Sequence, residues 1–262
     1  MKYIYLLALI AITTIACEKG SRGPGLEPPK SDPVPGSLKS SNFYYVDGSY
    51  YVKHYNYDGS GKLISDQDKT PESVLMSSRE YAYNNDGQLS ILSLRSATAK
   101  VAEHAYTYQA GVLVKSEYRE NTGGTFTTIF EQVFEYSAGK ISKVTVNHSN
   151  AVPSYYITYL WNGNNVTGQK RYGLPAGNLL EETVYEYDNK PNPYYKLGMP
   201  KDGNPRYSSV NNVTLNSTKL AATGITEQII AEFEYNTSGL PVKQDNRFKD
   251  GRKLHEQSYF YH

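Results

Sequence analysis

One cysteine, Cys17, stands alone in 262 residues, so no internal disulfide can form and stability must come from packing and hydrogen bonding. Charge of one sign is also lacking. Twenty-seven Lys and Arg face 26 Asp and Glu, for a net charge of +1, and no basic block leaves the footprint that a nucleic-acid partner needs. No segment carries a convincing helical period, and no HExxH pair, GxSxG elbow or phosphate loop is present. Tryptophan and phenylalanine are scarce, with one and seven residues, whereas tyrosine reaches 26. The chain therefore builds itself from an amphipathic ring that packs like a hydrophobe and keeps a hydroxyl for a polar partner.

The cysteine has an address. Met1 and Lys2 form a short positive start, Ile4 to Ile15 is an almost unbroken apolar run, and small or apolar residues from Thr13 to Ala16 precede Cys17. The run is too short for the roughly 20 residues that cross a bilayer and has the layout of an export signal. This leader resembles the bacterial lipoprotein box, which implies cleavage after residue 16, lipidation of Cys17 and an outer-membrane lipoprotein; Thr14 stands where that box usually has Leu. An ordinary signal peptide with an incidental thiol is the alternative. Residues 17–40, with Pro24, Pro28, Pro29, Pro33 and Pro35 among glycines, have little to bury and read as a solvated tether extending about 3.1 Å per residue. Glu18 and Lys19 match in part the acidic, lysine-containing motif associated with display at the cell surface, so surface and periplasmic facing both stay open.

From residue 41 to 262 one pattern recurs about every 25 residues: aromatic-x-aromatic, a polar stretch, Gly, then an aliphatic residue. Clear copies are YNYDGSGKLI (Tyr55 to Ile64), YAYNNDGQLS (Tyr81 to Ser90), YTYQAGVLV (Tyr106 to Val114), FEYSAGKIS (Phe134 to Ser142) and FEYNTSGLPV (Phe233 to Val242). YLWNGNNVT (Tyr159 to Thr167) and YEYDNKPNPY (Tyr185 to Tyr194) are weaker. Period-two alternation puts both aromatics on one strand face, and the closing glycine supplies the positive φ of a three- to five-residue hairpin loop, after which Leu63, Leu89, Leu113, Ile141 or Leu240 starts the return strand. The predicted fold is all-β, an antiparallel up-and-down meander of about 16 strands. So many twisted strands cannot stay flat, so the sheet curls into a wide, water-soluble barrel, open or closed. A membrane-spanning barrel fits less well, because few strands carry the continuous aliphatic face that lipid requires.

These copies resemble degenerate YD repeats, the Tyr-Asp hairpins of RHS and teneurin-like shells, with the dipeptide itself at Tyr57-Asp58 and Tyr187-Asp188. YLWNGNNV, YEYDNKPNPYY and FEYNTSGLPVK together resemble more closely a Bacteroidota lipoprotein family of unknown function with a porin-like fold. That resemblance implies an exported all-β meander and no catalytic residues.

Chemistry is sparse. His54, His104, His148, His255 and His262 lack metal-ligand spacing, so neither a metal nor a cofactor is expected. Asn84 to Gly87 and Asp188 to Asn192 are oxygen-rich but read as turns rather than calcium loops. Glu131 and Glu135, or Glu181, Glu182 and Glu186, alternate as a solvated strand face does, although glycosidase pairs are built from the same residue types. The period breaks at Asn189 to Tyr207, a proline-rich insert of a length that is usually functional. Tyr194, Tyr195 and Tyr207, with Trp161 from a neighbouring copy, are the candidate ligand-binding residues; the alternative is a loop that plugs the barrel with its tyrosines turned inward. The expected function is a non-catalytic, lipid-anchored module that binds a glycan or another envelope protein. The rival expectations are a structural envelope component without a ligand and an enzyme acting on polysaccharide.

Overall fold

Hairpin after hairpin with short turns lays each strand beside its predecessor, so the sheet grows in chain order until its edges meet. The structure, a computed structural model, describes residues 35–262, and there the meander is a closed barrel. Its strands are β1 Leu38–Tyr45, β2 Tyr50–Tyr57, β3 Leu63–Lys69, β4 Leu75–Tyr83, β5 Leu89–Ser96, β6 Lys100–Gln109, β7 Val112–Thr122 and β8 Thr125–Ser137. They continue as β9 Lys140–His148, β10 Tyr155–Asn162, β11 Asn165–Gly173, β12 Asn178–Pro191, β13 Asn211–Leu220, β14 Thr226–Tyr235, β15 Pro241–Phe248 and β16 Lys253–Tyr261. All sixteen are antiparallel and pair with their sequence neighbours. Closure, which the sequence leaves open, is made by β16 on β1, where Tyr259 faces Ser41, Gln257 faces Phe43 and His255 faces Tyr45. Cys17, the leader and the tether up to residue 34 lie outside the described residues. β1 starts at Leu38, so residues 38–40, read as tether, belong to the wall.

Two further differences from the sequence reading have local causes. Where two residues rather than three separate the second aromatic from its glycine, the loop shrinks to two residues: Gln109 pairs with Val112 around Ala110 and Gly111, and Ser137 pairs with Lys140 around Ala138 and Gly139. Both central residues then need positive φ, and Ala110 and Ala138 adopt it at 48° and 49°. The one helical turn among the described residues, α1 Pro205–Ser208, forms inside the insert because Asn204 caps it and Pro205 occupies its first position.

The second aromatic of each copy does more than pack. The strand register shifts at Tyr57, Tyr83, Tyr108, Tyr136, Trp161 and Tyr187, as a bulge re-aims the side chain towards the preceding copy. There its polar hydrogen goes to the main-chain carbonyl of the residue that starts the return strand. Tyr57 Oη donates to Leu38 O at 2.8 Å, Tyr83 to Leu63 O at 2.7 Å, Tyr108 to Leu89 O at 3.0 Å and Tyr136 to Leu113 O at 2.8 Å. Trp161 Nε1 donates to Ile141 O at 2.7 Å, Tyr187 to Val166 O, and Tyr261 to Pro241 O at 2.7 Å. These bonds form a ring of clasps around one end of the barrel. Beneath them Leu38, Leu63, Leu89, Leu113, Ile141, Val166 and Pro241 are buried and make an apolar floor; Pro241 takes the place expected of Leu240.

Inner-face exposure rises away from that floor. Along β1 it runs from Leu38 at 2 % to Tyr45 at 51 %, and the corresponding upper positions Glu120 and Glu227 are exposed. The barrel is thus a cup with one open mouth. Its outer wall is laced with ion pairs between neighbouring strands, including Lys115 to Glu131 at 2.6 Å, Lys143 to Glu135 at 2.7 Å and Lys170 to Glu182 at 3.2 Å. A cationic side chain facing lipid at mid-membrane costs about 2–4 kcal/mol, so this is a wall made for water.

Two measurements by urea denaturation check this account. Tyr136→Phe leaves the Leu113 carbonyl without its donor and should cost about 1 kcal/mol, while the same change at exposed Tyr50 should cost nothing measurable. Ala138→Gly should instead stabilise by about 0.5–1 kcal/mol, because it relieves a left-handed alanine.

Candidate functional site

A sixteen-stranded barrel leaves a wide channel unless something fills it. Here residues 192–210, between β12 and β13, turn up from the floor into the lumen. Asn192 holds the neck of this plug: Nδ2 donates to Arg206 O at 2.8 Å and Ser209 O at 2.9 Å, and Oδ1 accepts from Tyr194 N at 3.0 Å. Ser209 Oγ accepts from Val166 N at 3.0 Å and ties the plug to β11. Gly203 lies against the ring of Tyr159 with φ +91°, and a Cβ there would come within 2.6 Å of the ring, so this contact requires glycine.

The four aromatic residues singled out in the sequence separate into different roles. Tyr194 stands buried at the centre of the lumen, edge-on to Tyr207 at 6.3 Å and to Tyr259 at 6.1 Å, and its hydroxyl accepts from Gln257 Nε2. Tyr195 lies half-buried beneath Lys201, whose Nζ is 3.7 Å from the ring centroid and donates to Tyr195 O and Tyr207 O. Burial pushes the Lys201 ammonium down to about 8. Trp161 is apart from the plug tyrosines in the clasp ring, with Lys140 5.0 Å above it. Structure therefore joins Tyr194 to Tyr207 and assigns Trp161 to the floor.

On one side of the plug, β2, β3 and β4 bring together a charged cluster absent from the sequence reading. Asp66, 1 % exposed, takes Lys53 at 3.0 Å and Arg79 at 3.2 Å on Oδ1 and the Tyr81 hydroxyl on Oδ2. Asp68 takes Lys53 at 2.5 Å and Ser77 Oγ at 3.0 Å. Both Asp66 oxygens are engaged, which fits a structural carboxylate better than a proton acceptor. The clue was parity: Lys53 shares a face with Tyr51, Tyr55 and Tyr57, and charges on the aromatic side of a strand must meet partners inside.

On the other side lies a cavity of about 260 Å³, bounded by β1, β13, β14, β15, β16 and the plug. Phe43, Phe233 and Tyr259 supply flat walls, and Gln244, Asn246, His255 and Gln257 line it with polar groups. These form a chain: Tyr259 donates to Gln244 Oε1, Gln244 Nε2 to Asn246 Oδ1 at 2.9 Å, and Asn246 Nδ2 meets His255 Nε2 at 3.0 Å. Burial, aided by the Arg206 charge, lowers the His255 imidazole, so it stays neutral and can accept on Nε2. A second cavity of about 250 Å³ shares Val213, Gln244 and Asn246 with the first and continues past Tyr185 and Ala231. Arg206 borders the larger cavity and, across the plug, a smaller one of about 100 Å³ beside the charged cluster.

The opposite wall is aromatic. His104, Tyr118, Phe130, His148 and Tyr155 follow one another across β6 to β10 at centroid separations of 4.8, 5.2, 5.6 and 5.9 Å, and Arg171 closes the row 5.3 Å from Tyr155. Arg171 is in turn paired with Glu181 at 2.9 Å. Burial lowers His104 to about 4. The oxygen-rich turn at Asp188 is explained by the clasp ring: Asp188 accepts from the Tyr235 hydroxyl and from Asn212 N at 3.1 Å, replacing the carbonyl that the insert displaces. Among the described residues no group of three His, Cys, Asp or Glu side chains is placed to hold a metal ion.

A closed, sixteen-stranded barrel with a plugged floor is a porin-like fold. It is similar to a porin-like protein from Bacteroides vulgatus ATCC 8482, with a TM-score of 0.58 and 12 % identity over 86 % of this chain and 98 % of that one. A porin-like protein from Bacteroides uniformis ATCC 8492 gives 0.54 and 11 %, over 88 % and 99 %. The Photorhabdus luminescens Tc holotoxin pore overlaps 13 % of its own chain at a TM-score of 0.31, too loosely to bear on the fold. No protein-family model matches the chain, and no curated protein matches it in sequence.

The buried histidine sets a pH dependence. Because folding lowers the His104 imidazole from 6.5 to about 4, its contribution is full above pH 6.5 and is lost as pH falls from 6.5 towards 4. Between pH 6.5 and 5, above the range where carboxylates titrate, stability should fall by at most about 1.4 kcal/mol per pH unit on account of this residue. His104→Phe should flatten that slope in urea midpoints measured across the interval.

Proposed function

We propose that this protein is a lipid-anchored component of a bacterial envelope, held through Cys17, that binds a saccharide inside its cup and performs no chemistry on it. One observation carries the reading. An open mouth gives onto a cavity whose walls alternate ring faces, from Phe43, Phe233 and Tyr259, with amide edges, from Gln244, Asn246 and Gln257. A sugar has the complementary surface, an apolar ring face with a hydroxyl rim, and pockets that hold such molecules combine apolar walls with a few placed polar groups.

The leader supports the anchor, and the likeness in fold to the Bacteroides porin-like proteins supports an envelope setting at the outer membrane. The chain enters the barrel at its floor, where Gly36 N donates to His262 O at 3.1 Å, so a tether joined there leaves the mouth free for a glycan or for the glycan-bearing surface of another envelope protein. Against catalysis stands the state of the lumen carboxylates. Asp66 and Asp68 are held by Lys53 and Arg79, and Glu181 by Arg171. Asp202, whose carboxyl burial pushes up, accepts from Asn204 N at 2.9 Å, and Lys201 is the charge that acts on it. A ligand-free structural role is favoured by the degree to which the plug fills the lumen, and the two readings part on saturable binding.

Two tests follow. The full, lipidated protein passed over immobilised neutral and acidic oligosaccharides should retain a subset with one-to-one, saturable binding by calorimetry; retention of none would remove the saccharide reading and leave the structural one. Cys17→Ala should shift the protein from the membrane pellet to the soluble fraction, and continued sedimentation with membranes would refute the anchor.

A further inference from the structure

Arg206 shares the plug with Lys201 and Asp202, and its surroundings are unusual. Its guanidinium lies 3.8 Å from the Tyr194 ring centroid and 5.9 Å from that of Tyr207, with Tyr55 and Tyr259 close by. Among the described residues no carboxylate stands within ion-pair distance of it, although Lys53, Arg79 and Arg171, the other cations of the inner face, each have one or two. A guanidinium cannot shed its proton, so a full positive charge stands inside the barrel with aromatic faces for company and no counter-charge from the protein. It is nevertheless not smothered. Cavities on both sides leave much of its surface uncovered by protein, and the larger of them is the amide-lined space reached from the mouth.

A guanidinium that faces open lumen with no protein counter-charge is free to pair with an anion that enters the cavity. Hydroxyls of neutral sugars answer only weakly. A planar carboxylate answers fully, because the guanidinium fork matches its two oxygens. The rest of the cavity supplies what a sugar ring around that carboxylate needs. His255 Nε2 is occupied by Asn246, which leaves its Nδ1 hydrogen to donate; Gln257 engages Tyr194 through Nε2, which leaves Oε1 to accept. Phe43 and Phe233 provide ring faces. The two neighbouring cavities, about 260 and 250 Å³, share Val213, Gln244 and Asn246 as a common wall and give room for one or two sugar units.

We infer that Arg206 is the recognition centre for an acidic saccharide, a sugar whose carboxylate pairs with the guanidinium while its ring lies among Phe43, Phe233 and the Gln244, Asn246 and Gln257 amides. This deepens the saccharide reading and rests on it. Charge recognition is what is added: the site selects uronate-type sugars over neutral ones, and the cavity takes one or two units from the end or branch of a longer chain.

The decisive comparison needs no mutation. Calorimetry on the full protein with a galacturonic or glucuronic acid disaccharide, with the methyl ester of the same disaccharide and with its neutral counterpart isolates the charge. The acid should bind at least about tenfold more tightly than ester or neutral sugar, the lower range for a charge-assisted hydrogen bond. Arg206→Gln should remove that preference, Arg206→Lys should restore it in part, and far-ultraviolet circular dichroism with the thermal midpoint reports whether each variant keeps its fold. Should a variant fail to fold, the acid-to-ester ratio on the unaltered protein still decides. Equal binding of acid, ester and neutral sugar would overturn the inference while leaving the saccharide reading intact. Acetate or sulfate competing as well as the uronate would reduce the site to a simple anion hole and overturn it as well. Binding of no saccharide at all would end both.

Discussion

Everything in this molecule depends on one hydrogen bond made repeatedly: the polar hydrogen of an aromatic side chain, swung out by a bulge, donated to the carbonyl that begins the return strand of the preceding hairpin. An isolated two-stranded hairpin is marginal in water, and stacking sixteen strands in a row multiplies register choices. The clasp from Tyr57, Tyr83, Tyr108, Tyr136, Trp161, Tyr187 or Tyr261 removes that freedom, since its reach is set by ring length and only one register brings the donor to the carbonyl. That is why the second aromatic of each copy is Tyr or Trp, while Phe134 and Phe233 stand at first positions, where no clasp is made. Trp161 does the same work with an indole N–H. Closure itself is made by backbone pairing of β1 with β16, beside the clasp that Tyr57 makes to Leu38.

Clasping the floor has a consequence for the lumen. An apolar layer at one end leaves wide, half-polar walls above it, and a barrel of this breadth would be an aqueous shaft without a plug. The insert at residues 192–210 fills part of it, and the repeat bends to let it in: at Tyr235 the acceptor is the Asp188 carboxylate rather than a backbone carbonyl, so the ring continues across the gap. The filling is asymmetric. Towards β2 to β4 the plug meets a cluster in which acids and bases neutralise each other, whereas towards β13 to β16 the wall's amides face the plug's own Arg206, which has no acid beside it. Chemistry on the inner surface is therefore concentrated where compensation is missing.

The repeat in the sequence announced the strands, their order and their turns because each of those is decided locally, by alternation and by glycines that tolerate positive φ. Parity also marked the inner face correctly at Tyr55, Tyr81, Phe134 and Tyr259, all buried. Loop length was read less well at Ala110 and Ala138, where alanine stands in a conformation that its side chain disfavours and the pattern offers no hint of it. The insert was visible as a break in the period, yet its tyrosines could not be apportioned: Tyr194 reaches the core, Tyr195 lies beneath Lys201, and Trp161 belongs to the floor. Arg206 carried no signal at all in the sequence, being one arginine in a proline-rich loop.

The sequence by itself determined an all-β meander of about sixteen hairpin-linked strands with an aromatic face and an interruption after Tyr187, since those follow from short-range periodicity. Only the tertiary structure decided that the edges of the sheet meet, that the interruption folds inward, that Lys53, Asp66 and Arg79 find one another and that Arg206 does not find an acid. The physical reason is range. Alternation and turn chemistry act over a few residues, while a charge is answered or left unanswered by whatever the closed wall brings within about 4 Å, and the residues around Arg206 come from strands at opposite ends of the chain.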